Sequence, residues 1–313
     1  MLPPLLKLLR PADWLKNVFV LVPAVFWLAG DPASREGGSQ PLALAFLAAV
    51  AFSAAGSGFY AINDALDAQE DRAHPVKCRR PVASGAISPR TAVAVGVGLE
   101  AIALGLAWWI RPGVFAVLVA YVVAQVAYNA RLKRVRLVDV VTVASGFVLR
   151  AIAGALAIGI AVSAWLVVVV FAFTLFLGFV KRLGDLRAAE LQAAAGHGSG
   201  WKPRAGYDSA EDLNWLLAVT GTAAMMSYVV YALSAHAREI FGIRAVGFAL
   251  LSPLVFIVVH RLYLRANMGK ADSPVTAILA DRSALLSTLL FVAGVLAALY
   301  WPPAAAALGT VFD

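Results

Sequence analysis

The chain of 313 residues is 61% hydrophobic and only 14% charged, with a formal net charge of +8 and a mean hydropathy of +0.81. Such a composition excludes a soluble globular fold. Its many apolar runs, near the ~20 residues that cross a bilayer, define an all-α polytopic membrane protein, because helices satisfy their own backbone hydrogen bonds in lipid.

From the N-terminus, MLPPLLKLLRPADWLKN begins with prolines and lacks a long apolar core or a small-residue cleavage site, so it is not read as a signal peptide. About nine transmembrane helices are then predicted, near residues 13–30, 42–62, 91–110, 114–130, 137–158, 163–180, 212–235, 246–264 and 284–302, bundled as a single domain over 1–313. Gly30-Asp31-Pro32, Arg111-Pro112-Gly113 and Trp301-Pro302-Pro303 punctuate them. The Lys and Arg residues fall unevenly. The N-terminal segment and the loops 63–90, 131–136, 181–211 and 261–283 hold three, five, four, five and four, or 21 of the 26. The alternate connections hold Arg35, Arg111, Arg238 and Arg244, and Arg150 lies inside the fifth helix. The positive-inside rule then predicts a cytoplasmic N-terminus and an external C-terminus, and it accounts for most of the net charge without nucleic acid. The largest loops, 63–90, 181–211 and 261–283, fall on the cytoplasmic side, where the active site of a plasma-membrane protein is expected. Single Cys78 excludes an intramolecular disulfide and a cysteine-ligated zinc, and the four histidines show no metal-ligand spacing.

The stretch NDALDAQEDRAHPVKCRRP breaks the pattern. Asn63, Asp67 and Asp71 are spaced i, i+4, i+8 and share a face if the second helix runs on past Ile62. Asp64 lies beside them, and Glu70 joins at i+3 from Asp67. Crowded carboxylates repel one another, and hard oxygen ligands at this spacing suit magnesium bridging to substrate phosphates. Solvated acids at a helix end are the plainer alternative. Lys77, Arg79 and Arg80 follow at once, where they would meet phosphate oxygens that the metal leaves exposed. Cys78 has cationic neighbours and no other mark of a nucleophile.

NDxxDxxxD after the second of nine helices resembles the first aspartate-rich motif of the UbiA-type intramembrane prenyltransferase superfamily. That superfamily uses Mg2+ to hold a diphosphate that leaves an activated carbon. Its ordinary members carry a second acidic motif in the loop after helix six. Here that stretch reads GFVKRLGDLRAAEL, with Lys181 and Arg182 first and only Asp185 and Glu190 as acids. RPADWLKN, NDALDAQEDRAHPVKCRRPVASG and LVDVVTVASGFVLRAIAGA are similar to elements of the decaprenyl-phosphate 5-phosphoribosyltransferase branch, which moves phosphoribose from phosphoribosyl pyrophosphate to a polyprenyl phosphate and feeds arabinose-donor synthesis for cell-envelope glycans in some bacteria.

The resemblance implies a metal set of Asp64, Asp67, Asp71 and Asn63, with Asp67, Asp64 and Lys181 catalytic. It implies donor-phosphate contacts at Lys77, Arg79, Arg80, Arg182 and Tyr207, and lipid-phosphate contacts at Arg10, Lys16, Asn17 and Arg150. Arg10 and Lys16 also read as interface anchors near Trp14, and Arg150 as either a structural ion pair or a substrate-facing charge. Glu70, Tyr60 and Asp185 are further candidates; Asp139 reads as a helix N-terminal charge, and Asp272 and Asp281 as caps or covers of the site. A prenyltransferase acting on an aromatic acceptor and a transporter for a phosphorylated metabolite are the alternatives. Ionisable groups cluster on one side of the membrane and only Arg150 lies deep, which disfavours transport. A homo-oligomer is compatible with the sequence, though no segment specifies one.

Overall fold

A computed structural model describes residues 3–30, 38–73, 77–194, 206–271 and 273–312. Among these residues there is no strand, and nine spans are long and apolar enough to cross a membrane: Pro4–Ala29, Gln40–Leu66, Pro89–Ile110, Pro112–Ala130, Val138–Ile158, Ala164–Ala194, Ala210–Leu233, Arg244–Asn267 and Arg282–Tyr300. The protein is a multi-pass membrane protein.

Two compact units carry the spans. The first comprises Met1–Leu28, Arg35–Ala127 and Gly146–Val162, and the second Ala29–Ser34, Tyr128–Ser145 and Ser163–Asp313. The fifth span thus begins in the second unit and ends in the first.

In the first unit, Val20, Phe52, Leu118 and Tyr121 pack with a run of alanines from the second, third and fifth spans. Lipid removes the hydrophobic drive between helices, so close contact between small residues replaces it. A Cβ on Gly58 would stand 2.8 Å from the Gly96 carbonyl oxygen, and one on Gly154 only 1.9 Å from that of Val20. These approaches hold the second span against the third and the fifth against the first. The second unit packs Phe176, Phe179, Leu183, Leu213, Leu217 and Leu262 around Tyr207.

Three boundaries differ from the sequence reading. The second helix does run past Ile62, but it ends at Leu66, and Asp67 turns the chain into a separate helix, Ala68–Ala73. The sixth helix continues to Ala194, so Lys181, Arg182 and Asp185 stand on a helix and not in a loop. Strong helix formers (Ala, Leu, Arg, Glu) fill that extension, and the Lys181–Asp185 and Arg187–Glu190 pairs brace it. Finally, Pro302 and Pro303 end the ninth span and also open a further short helix, Pro302–Phe312, where proline suits the first turn.

Candidate active site

The acid-rich stretch belongs to the first unit. Asp67 closes the second span, its N–H donating to the Asn63 carbonyl at 2.9 Å, and the Asp71 N–H then donates to the Asp67 carbonyl at 2.9 Å. Asp64 and Asp71 thereby face a common partner, and both are buried, at 1% and 2% exposure. Arg80 joins them: its Nη1 donates to Asp71 Oδ2 at 2.7 Å and to Asp64 Oδ1 at 3.3 Å. Arg10 Nη2 donates to the same Asp64 oxygen at 2.6 Å, while its guanidinium lies 4.4 Å from the centre of the Tyr60 ring. Lys77 Nζ stands 3.9 Å from Asp71 Oδ1.

The buried pair is Asp64 and Asp71, seven residues apart, rather than Asn63, Asp67 and Asp71. Asn63 and Asp67 are partly exposed, and Glu70 and Arg79 are exposed. Among the described residues no group of three acids or histidines converges on one point. The donor chemistry still fits magnesium. Asn63 and Asp67 offer hard oxygens that make no side-chain bond to another described residue, next to two carboxylates already held by cations. His74 and Pro75, of the stretch between Asp71 and Lys77, lie outside the described residues.

Arg150 occupies the interior of the same unit at 7% exposure. Its Nε donates to Asn17 Oδ1, its Nη1 to the Gly146 carbonyl and its Nη2 to the Tyr121 hydroxyl, each at 2.8 Å. Its guanidinium carbon is 4.6 Å from the Tyr121 ring centre and 5.4 Å from that of Phe147. Asn17 is itself fixed by donation to Ser53 Oγ at 2.8 Å. Every described partner is neutral, so of the two readings of Arg150 the structural ion pair is not found among the described residues, and the charge is met by carbonyl, amide and hydroxyl dipoles and aromatic faces. A cavity of about 20 Å³, room for one water, lies among Asn17, Ser53, Ser57, Tyr60, Tyr121 and Arg150. Lys16 is exposed and pairs with Asp13. Trp14 donates to Ser57 Oγ at 2.9 Å.

The second unit carries another ionic cluster. Asp139, fully buried, accepts from Arg182 Nε at 2.9 Å and from the Tyr207 hydroxyl at 2.7 Å. Tyr207 Oη also accepts from the Leu137 N–H at 2.8 Å. Burial, reinforced by the Asp139 carboxylate, pushes the Tyr207 phenol above its usual range. Arg182 and Tyr207, expected on donor phosphates, are therefore engaged in a buried network. Lys181 is nearly half exposed, with its Nζ 3.2 Å from Asp185 Oδ1. Asp139 answers a specific arginine rather than a helix dipole alone. Asp281 caps the ninth span, accepting from the Ala284 N–H at 3.0 Å, and takes a two-nitrogen fork from Arg261 at 2.6 and 3.0 Å; Asp272 lies outside the described residues. Sequence reasoning missed Tyr121 and the part played by Asp139. Their signal was a polar group inside an apolar run, where it needs a partner.

Each unit thus holds buried carboxylates paired with arginine among apolar helices, Asp64 and Asp71 in the first and Asp139 in the second. The family profile described as the UbiA prenyltransferase family matches residues 20–273, and the chain belongs to that family and is a transferase. It is 32% identical over 294 residues to the decaprenyl-phosphate phosphoribosyltransferase of Mycobacterium tuberculosis (strain H37Rv), covering 93% of each chain. It is 30% identical over 304 residues to the protein of the same name from Mycolicibacterium smegmatis, covering 95% of this chain and 92% of that one. Among solved structures, a UbiA homolog from Archaeoglobus fulgidus bound to GPP and Mg2+ superposes with a TM-score of 0.66 at 19% identity, over 95% of this chain and 99% of that one. That likeness concerns the fold.

Proposed function

We propose that this protein transfers 5-phosphoribose from phosphoribosyl pyrophosphate to a polyprenyl phosphate of the decaprenyl type, at the cytoplasmic face of the plasma membrane, for arabinose-donor synthesis. Relatives of that name at about one-third identity along nearly the whole chain support the reading. The observation that carries it is the excess of cations over acids around Asp64 and Asp71, where Arg10, Arg80 and Lys77 meet two carboxylates. A donor with phosphates at both ends and an anionic acceptor require that surplus.

The reaction needs little acid–base chemistry. The C1–O bond to diphosphate breaks and the electron pair leaves with the diphosphate. A lipid phosphate oxygen, already anionic, forms the new bond to C1, so no strong base is required. The enzyme's work is placement and charge stabilisation. Magnesium, held through Asp67, Asn63, Asp64 and Asp71, would supply neutralisation of the departing diphosphate. Lys77, Arg79 and Arg80 are assigned to donor phosphates, and Lys181 to a phosphate as well. Arg182 and Tyr207 act as struts through Asp139. Asn17 and Arg150 present the dipoles and charge that receive the lipid phosphate, with Lys16 at the membrane surface. Arg10 holds Asp64.

The test is transfer by purified protein with magnesium and polyprenyl phosphate. Label from phosphoribosyl pyrophosphate should reach lipid and be lost in Asp67→Ala. Prenyl transfer from a labelled prenyl diphosphate to 4-hydroxybenzoate, with none from the sugar donor, overturns the assignment.

A further inference from the structure

Two carboxylates buried to 1% and 2% exposure repel each other in a weakly screening interior unless a cation lies between them. The chain supplies that cation itself. One nitrogen of Arg80 serves both acids, and Arg10 adds a second charge on Asp64. The charges of Asp64 and Asp71 are thus balanced by two guanidinium groups before any ligand arrives. A divalent ion drawn to the same oxygens competes with Arg80 for them.

The backbone of Arg80 is pinned on both sides. Its N–H donates to the Lys77 carbonyl at 2.9 Å, and its own carbonyl accepts from the Ser84 N–H at 2.9 Å. The side chain is not enclosed: 29% of it is exposed, against 3% for Asp71. Exchange of partner therefore requires only rotation of the side chain. A guanidinium leaving two carboxylates needs another anion, and a phosphate, which its planar fork can grip with two nitrogens, is one.

We propose that Arg80 is an internal counter-cation that couples metal binding to diphosphate binding. The metal takes the carboxylates only as Arg80 moves to the diphosphate, so each ligand strengthens the other. The inference rests on the assignment of residues 63–71 to metal but not on which donor carries the diphosphate.

Equilibrium dialysis of the full-length protein in detergent, with Mn2+ and inorganic pyrophosphate counted separately, tests it. Wild-type protein should retain Mn2+ weakly alone and about tenfold or more tightly with pyrophosphate, after allowance for the complex formed in solution, as linkage between two ligands requires. Arg80→Gln should retain Mn2+ alone about tenfold more tightly than wild type and lose most of the coupling. Arg80→Lys, which keeps the charge but loses the planar fork, should fall between the two and serves if Arg80→Gln does not fold. Wild-type protein that binds Mn2+ equally with and without pyrophosphate overturns the proposal, as does an Arg80 variant that folds and binds Mn2+ alone no better. Retention in neither arm removes the metal assignment and this inference with it. Coupling found together with prenyl transfer supports the inference while defeating the phosphoribosyl reading.

Discussion

Asp139→Ala should be among the most damaging single changes to the fold. Asp139 is fully buried, and the Arg182 side chain beside it is 9% exposed. Removing the carboxylate leaves that guanidinium without its main anion, because Asp185 approaches only to 3.7 Å. Breaking one side of a buried ion pair costs about 3–5 kcal/mol. The Tyr207 hydroxyl also loses its acceptor, so the cost should lie toward the upper end. Tyr207→Phe keeps the pair but removes the charge-assisted hydrogen bond to Asp139, a loss of about 1.5–3 kcal/mol, and takes from the Leu137 N–H its acceptor as well. Replacing both charges, as Asp139→Asn with Arg182→Gln, should cost much less than the sum of the two single changes, by about 0.5–3 kcal/mol of coupling. The assay is unfolding in mixed micelles of increasing SDS fraction, followed by tryptophan fluorescence, with wild type, Asp139→Ala, Tyr207→Phe, the two single changes Asp139→Asn and Arg182→Gln, and their double variant side by side. An Asp139→Ala protein as stable as wild type, or strictly additive single and double changes, would refute the view that this cluster braces the second unit.

Other outcomes follow from the same geometry. Asp67→Ala should abolish transfer and leave stability within about 0.5 kcal/mol, since its side chain is partly exposed and holds no described partner, whereas Asp64→Ala should lose both activity and stability; equal melting of the two variants would count against that division. Arg150→Met should raise the KM for polyprenyl phosphate more than for the sugar donor, and should cost about 1–3 kcal/mol because the buried Asn17 oxygen loses its donor; an unchanged lipid KM would remove Arg150 from the acceptor site. The hydrogen bonds from Arg261 hold the Asp281 carboxyl below the usual carboxylate range. A group whose folded pKa is lowered adds stability above its unfolded pKa, about 3.9, and loses it as pH falls through the folded value. Asp281→Asn should therefore be less stable than wild type at pH 7, with the gap closing toward pH 3; a gap independent of pH would contradict the pairing.

The nine spans were legible because each is a long apolar run, a signal that depends on little else. Their ends were not. The sixth helix leaves the apolar zone at Lys181 yet continues, because charged residues with high helix propensity extend it without a hydropathy signal. Pro302-Pro303 reads equally as a stop and as a start. In the site, residue types and spacing showed that acids and bases of the 63–81 stretch belong together. Which acid meets which base was not legible, because Arg10 and Arg80 reach Asp64 from outside its helix, across 54 and 16 residues. The surroundings of Arg150 were further out of reach, since Asn17 and Tyr121 come from distant stretches and are both neutral. Charge pattern finds opposite charges; it does not find dipoles. Asp139 and Arg182 are 43 residues apart, and only their burial in apolar runs hinted that each required an answer.

Among the described residues, two that are not glycine adopt positive φ: Arg10 at 49° and Leu137 at 66°. Side chains there clash with their own backbone at about 1–3 kcal/mol each. Both sit at ionic clusters. Arg10 reaches Asp64 from that conformation, and Leu137 offers its N–H to the Tyr207–Asp139 pair. Variants selected only for thermal endurance would be expected to relax these positions first, with glycine or asparagine. For Arg10 the relaxed chain would surrender a guanidinium from Asp64, so endurance and turnover should part company there, whereas at Leu137 only the backbone N–H is used and the two can improve together.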